Sequence, residues 1–236
     1  MRYLTIKTHS RKRADGRESA QAFYVHKNRK FGDVIEQTQI SVKKPVLVVG
    51  AHASGKSYWL DRLRENAPRV WASRQAEPLY LAAVRPLSAW TDTKPLELWW
   101  ASRQSDDTRH WTKLKAWERV DALPLYLKET GAVLFVDDAD ELSGRKLKLV
   151  QDCVRACSVF VMTTADENRI SPSLRKDVLG QQPQTFRLNT DVAYDATPLF
   201  MWFLIASALA AGAYELALIL GGLKMLGSGR RATKQA

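Results

Sequence analysis

The octapeptide Gly50-Ala51-His52-Ala53-Ser54-Gly55-Lys56-Ser57 constrains this chain more than any other feature. It fits the pattern G-x-x-x-x-G-K-[ST]. Before it lies an apolar run, Pro45 to Val49, and after it a helix-forming stretch, Tyr58 to Asn66, with Trp59, Leu60 and Leu63 on one face. Glycines let such a loop wrap, its amides turn inward, and the following helix adds its positive end. The expected ligand is the phosphate chain of a nucleotide held by Gly50, Ala51, His52, Ala53, Ser54, Gly55, Lys56, Ser57 and Tyr58. Lys56 is expected on the β and γ phosphates, and the Ser57 hydroxyl on Mg²⁺.

The rest of the middle of the chain suits that reading. Short continuous apolar runs at Val46–Val49, Leu79–Val84, Val133–Val136 and Val159–Met162, with a fifth at Thr185–Leu188, alternate with helical stretches. Runs apolar on both faces fit a parallel sheet covered by helices, so the fold class is α/β: a P-loop three-layer domain over residues 45–190.

A partner for the loop comes 81 residues after Lys56, where Val133-Leu134-Phe135-Val136 ends in Asp137 and Asp138. Carboxylates at the C-terminal edge of a strand beside the loop have two roles to fill. Asp137 is placed to hold Mg²⁺ and its water, and Asp138 to orient or deprotonate an attacking water. An acidic cap on the following helix is the less favoured alternative for Asp138, Asp140 and Glu141.

These segments resemble the AAA+ and wider additional-strand P-loop ATPases. The residues that carry the resemblance are GAHASGKS at 50–57, VLFVDDADEL at 133–142, SVFVMTT at 158–164 and NRISPSLRKD at 168–177. The resemblance implies ATP and Mg²⁺ as ligands and a sheet in which the sensor strand separates the acidic strand from the P-loop strand. It matches Thr163 or Thr164 to the sensor that touches the γ-phosphate or the water. It puts Arg169 and Arg175, the latter preferred, where the family carries an arginine finger, which implies a homo-oligomer, with a ring as one form it can take. Two departures stand out: Asp138 replaces the usual Glu, and only nine residues separate Leu188 from the next apolar segment, too few for the helical lid. A guanine-specific site is disfavoured, since Thr163-Thr164-Ala165-Asp166 lacks the lysine of [NT]-K-x-D.

Charge is concentrated at the two ends. The chain carries +11 overall; residues 1–44 hold 11 Lys/Arg against 4 Asp/Glu, and residues 224–236 hold 4 Lys/Arg and no acid. The middle is neutral, so attraction to DNA or anionic lipid is expected through the basic N-terminal arm (1–44) and the basic tail (224–236). Residues 10–31 read as a mobile arm or an irregular hairpin. With 45% apolar and 26% charged residues the chain is neither disordered nor fibrous. Two cysteines build no disulfide framework, and the histidines are too scattered to complete a zinc site with them. Cys153 and Cys157 fall on one face of a helix expected over 145–156 and read as core sulfurs.

Two aromatic and apolar features complete the sequence. Six of the eight tryptophans lie between residues 71 and 117, interleaved with Arg74, Arg85, Arg103 and Arg109; core packing is the expectation and base stacking or a partner interface the alternative. After a linker at 191–197, Pro198–Leu223 runs 26 residues with one charge, Glu215. As a helix it would span about 39 Å against about 30 Å of bilayer core, so it reads as a transmembrane helix, with self-association through small residues four apart. One crossing is preferred over a hairpin turning near Gly212. The expected location is the inner membrane, single-pass, with the ATPase domain in the cytoplasm and a protein partner at the membrane. That plan looks like the zonula-occludens-toxin-like assembly ATPases of filamentous phages, and implies assembly or transport. A nucleotide-gated switch tethering DNA or a signalling partner is the alternative.

Overall fold

In the computed structural model, the described residues are 2–9, 19–27, 34–74, 76–103, 109–188 and 196–215. Their contacts divide the chain into two units, Met1–Thr190 and Asp191–Ala236.

The first unit begins with strands β1 (Arg2–His9), β2 (Ser19–Lys27) and β3 (Val34–Gln39), an antiparallel sheet in the order β1-β2-β3. Then come β4 (Val46–Val49), the P-loop, α1 (Lys56–Glu65), the one-turn α2 (Ala67–Val70) and β5 (Leu79–Ala82). Helices α3 (Leu87–Thr91), α4 (Lys94–Ser102), α5 (Ala116–Asp121) and α6 (Leu123–Thr130) lead to β6 (Leu134–Asp137). The unit closes with α7 (Gly144–Ala156), β7 (Phe160–Thr164), α8 (Pro172–Gly180) and β8 (Gln184–Arg187).

Five strands form a parallel sheet in the order β5-β6-β7-β4-β8. Strand β7 lies between β4 and β6, with Val46 opposite Val161 on one side and Phe135 opposite Val161 on the other. This is the order the resemblance implied, with the sensor strand between the P-loop strand and the acidic strand. The apolar runs are continuous because successive side chains serve opposite faces. Leu47, Leu81, Leu134, Val136, Phe160 and Met162 pack under α6, α7 and α8, while Val46, Val48, Phe135, Val161 and Phe186 pack under Trp59, Leu60 and Leu63 of α1. Both cysteines are buried among the first set, and burial pushes both thiols up, Cys157 to about 12.

Of the two N-terminal expectations the hairpin fits and the arm does not: successive strands of the described residues of 1–44 pair antiparallel, with a register shift between His26 and Lys27, and the sheet they form joins the second face of the core. Ala20, Ala22 and Tyr24 alternate inward along β2, and with Leu4 and Ile40 they share a cluster with Val46, Val48 and Trp59. Two alanines bring the sheet close, and Tyr24 locks it: its ring lies 5.0 Å from Phe186 and its hydroxyl donates to the Arg187 carbonyl at 3.1 Å. Residues 10–18 and 28–33 lie outside the described residues.

The tryptophan-rich insertion is core. Trp71, Trp90, Trp99 and Trp111 are buried, and three of these indoles donate hydrogen bonds: Trp90 to the Ala82 carbonyl, Trp111 to the Thr91 carbonyl and Trp99 to Glu129. The interleaved arginines are used locally, Arg74 on the Gly131 carbonyl, Arg103 on Glu129 and over Trp99, and Arg109 on Glu118. Trp117, by contrast, is exposed.

In the second unit, α9 (Ala196–Ala210) has 15 residues, about 22 Å at 1.5 Å per residue. It ends at Gly212, where φ is +75°, with the Ala213 amide reaching back to the Ala208 carbonyl at 2.9 Å. This six-to-one closure is a Schellman stop, and glycine alone takes that backbone without strain. The single continuous helix expected over 198–223 is therefore interrupted, and no helix among the described residues is long and apolar enough to cross a membrane. Residues 191–195 of the linker, and 216–236 with the basic tail, lie outside the described residues.

Candidate functional site

The site forms where β4, β6 and β7 end. Gly50 extends the ladder, donating its amide to the Thr164 carbonyl at 3.0 Å, and the chain then leaves the sheet. A Cβ on Gly50 would sit 2.3 Å from Ser54 Oγ and 3.1 Å from the Leu188 carbonyl oxygen, so a larger residue would have to displace Ser54. The Ser54 amide closes a turn onto the Ala51 carbonyl, and its hydroxyl is buried without a hydrogen-bond partner among the described residues. Ala51, His52 and Ala53 form the exposed rim.

Gly55 takes φ +82°, which turns the chain into α1 with no side-chain cap and no acidic residue in its first turn. The first amides of a helix lack partners within it. Those of Gly55, Lys56, Ser57 and Tyr58 therefore open toward the loop, an arrangement that suits an anion. Tyr58 projects into solvent with 72% of its surface exposed.

The side chains that matter converge. Lys56 is buried and its ammonium lies 3.1 Å from Asp138 Oδ1. Ser57 Oγ donates to Asp137 Oδ1 at 3.2 Å. Two hard oxygens beside a phosphate-binding loop are the donor chemistry Mg²⁺ takes, so the residues fit that ion. Asp138 sits in the left-handed region at φ 52°, ψ 55°, which is costly for any residue but glycine.

The two threonines separate. Thr163 is fully buried; its hydroxyl accepts from the Asp138 amide at 2.9 Å and donates to Asp137 Oδ1. Thr164 is equally buried but lies apart, its hydroxyl 3.2 Å from Asp140 Oδ1 and 2.9 Å from the Asp166 carbonyl. Asp140 also accepts the Ala165 amide at 3.0 Å. Its carboxylate ties the segment after β6 to the turn after β7, a connecting role the sequence reading gave only as an acidic cap.

The two arginines lie beyond this centre. Arg169 is largely exposed, 3.9 Å from Asp140 Oδ2. Arg175, early in α8, is half-buried. Neither touches Lys56, Asp137 or Asp138. On the far side of β6, Tyr80 of β5 is pushed up to about 12, first by burial and then by Asp137 and Asp61, against the pull of Arg85 and Arg64. Arg64 stacks over its ring at 4.4 Å.

No family model and no curated protein matches this chain. Among solved structures, it is similar to Cdc6p from Pyrobaculum aerophilum, at 17% identity and a TM-score of 0.37. That likeness covers 61% of this chain and 38% of the Cdc6p chain. The structure itself establishes the fold: residues 45–188 form an α/β domain whose five parallel strands run in the order β5-β6-β7-β4-β8, with the glycine-rich loop joining β4 to α1.

Proposed function

We propose that this chain is a membrane-anchored, Mg²⁺-dependent ATPase of AAA+ type that drives assembly or transport at the inner membrane. The observation that carries the reading is the meeting of Lys56, Ser57, Asp137 and Asp138 at one sheet edge, each bonded to another of the set. Water attacks the γ-phosphorus in line with the bridging oxygen that leaves toward the β-phosphate, and Asp138 takes the proton of the attacking water. Lys56 leaves Asp138 for the β and γ oxygens and offsets the charge developing there. Ser57 and Asp137 would hold Mg²⁺, which when bound would supply further positive charge to the reaction. Arg175 or Arg169 of a neighbouring copy completes the site, which makes the working form an oligomer.

Residues 198–223 serve as the anchor, supported by their apolar composition and by the uncharged α9, which overlaps them from Pro198 to Ala210. The partner is a protein at that membrane. The second reading, a nucleotide-gated switch that tethers DNA through the basic residues 1–44 or holds a signalling partner, is favoured by the Lys56–Asp138 ion pair, which closes the site on itself.

ATP turnover by the full chain in detergent, measured as protein concentration rises and with Lys56→Ala as the blank, tests these readings. A rate per molecule that climbs with concentration is the expected result. Tight ATP binding with almost no turnover supports the switch instead, and turnover unchanged in Lys56→Ala removes both.

A further inference from the structure

Among the described residues, the Thr163 hydroxyl is the one side-chain group that bonds both residues of the Asp137–Asp138 pair. The ladder between β6 and β7 has its last registered pair at Val136 and Met162. One step beyond it, the Asp138 amide is taken up by the Thr163 side chain instead of by the β7 backbone. The same hydroxyl gives its proton to Asp137 Oδ1, the oxygen that also accepts from Ser57. A hydroxyl has a single proton, and this one is committed. With no exposed surface, Thr163 has no free donor to turn toward a phosphate.

The backbone supplies the reason for such a tie. Asp138 occupies the left-handed region, where a non-glycine residue persists only when its surroundings hold it. The bond from its amide to Thr163 is one such restraint, and it fixes the direction in which the Asp138 carboxylate leaves the strand. The bond to Asp137 fixes the rotation of the carboxylate that faces Ser57.

We propose that Thr163 is a positioning residue that sets Asp137 for Mg²⁺ and Asp138 for the water, and that it does not contact the nucleotide. This inference rests on the nucleotide-binding reading above and differs from the sensor role, in which the hydroxyl would touch the γ-phosphate.

The test is ADP binding by the full chain in detergent, followed with a fluorescent ADP analogue in EDTA and across a Mg²⁺ titration, for the wild type, Thr163→Val and Thr163→Ser. Removing the hydroxyl should leave affinity in EDTA unchanged and raise the Mg²⁺ concentration for half-saturation about 10-fold or more, the usual effect of losing a group that orients a metal ligand. Thr163→Ser, which keeps the oxygen, should stay within about threefold of wild type. If the valine variant does not fold, Thr163→Ala carries the same comparison, because it leaves room for a water at the Asp138 amide. An unchanged Mg²⁺ requirement with only turnover reduced would overturn the proposal in favour of a phosphate or water contact. A lower melting temperature with an unchanged Mg²⁺ requirement would overturn it in favour of simple packing. If the wild type binds no nucleotide, the parent reading fails as well; binding that ignores Thr163 refutes this inference alone.

Discussion

Replacing Asp138 with Asn removes one end of the ion pair that occupies Lys56 in the nucleotide-free protein. At 3.1 Å and an effective dielectric near 20, the bare attraction is about 5 kcal/mol. Desolvation takes back most of it, because the two side chains keep only 9% and 22% of their exposure. A net value of about 1–2 kcal/mol lies between those of exposed pairs and of fully buried charges. In the proposed nucleotide complex Lys56 would turn to phosphate and the pair would be broken, so on that reading this energy stabilises only the free state. Its loss should therefore tighten ADP binding by about 5- to 30-fold. Relief of the repulsion between Asp138 and the phosphates acts in the same direction. Because ADP is not hydrolysed, isothermal calorimetry at fixed Mg²⁺ and salt reads the effect without interference from turnover. Equal or weaker ADP binding by Asp138→Asn would show that the pair does not compete with the nucleotide, and the reasoning would fail.

Two further outcomes follow from the geometry. Gly50→Ala places a methyl group 2.3 Å from Ser54 Oγ and 3.1 Å from the Leu188 carbonyl oxygen; it should cost about 1–3 kcal/mol. Calorimetry should show this as a lower unfolding temperature, partly restored by adding Ser54→Gly, since that change removes the closer of the two contacts. Burial holds Tyr80 and Tyr126 up to about 12, above the ordinary value of 10.0, so their contribution to stability is intact below pH 10 and is lost as pH rises toward 12. Absorbance of tyrosinate near 295 nm, compared with Tyr80→Phe and Tyr126→Phe, should show these two titrating late, and a midpoint near 10 for either would contradict the assigned burial.

The N-terminal residues show why part of the fold could not be read ahead. Ala20, Ala22 and Tyr24 carry a period of two, but two alanines are a faint apolar signal among so many charges, and what they pack on, Trp59 and Phe186, lies far along the chain. Helix α9 shows a different limit of the sequence. Its apolar composition argued for one long helix, and composition says little about a single glycine entering the left-handed region at residue 212. The tryptophans between 71 and 117 were expected to be core, and four of the six are buried.

The sequence by itself determined the P-loop and its flanking strand and helix, because the motif is contiguous: loop, amides and Lys56 are all set by neighbours along the chain. It also determined that the apolar runs form a two-sided parallel sheet, since burial on both faces leaves no polar alternation. Only the tertiary structure decided how the two halves of the site meet. Ser57 and Asp137 are 80 positions apart, and Thr163 reaches Asp137 across 26. Which of two adjacent threonines faces the carboxylates depends on the pleat of β7 against β6. A strand sends successive side chains to opposite sides, so Thr163 joins Asp137 and Asp138, while Thr164 turns away to Asp140.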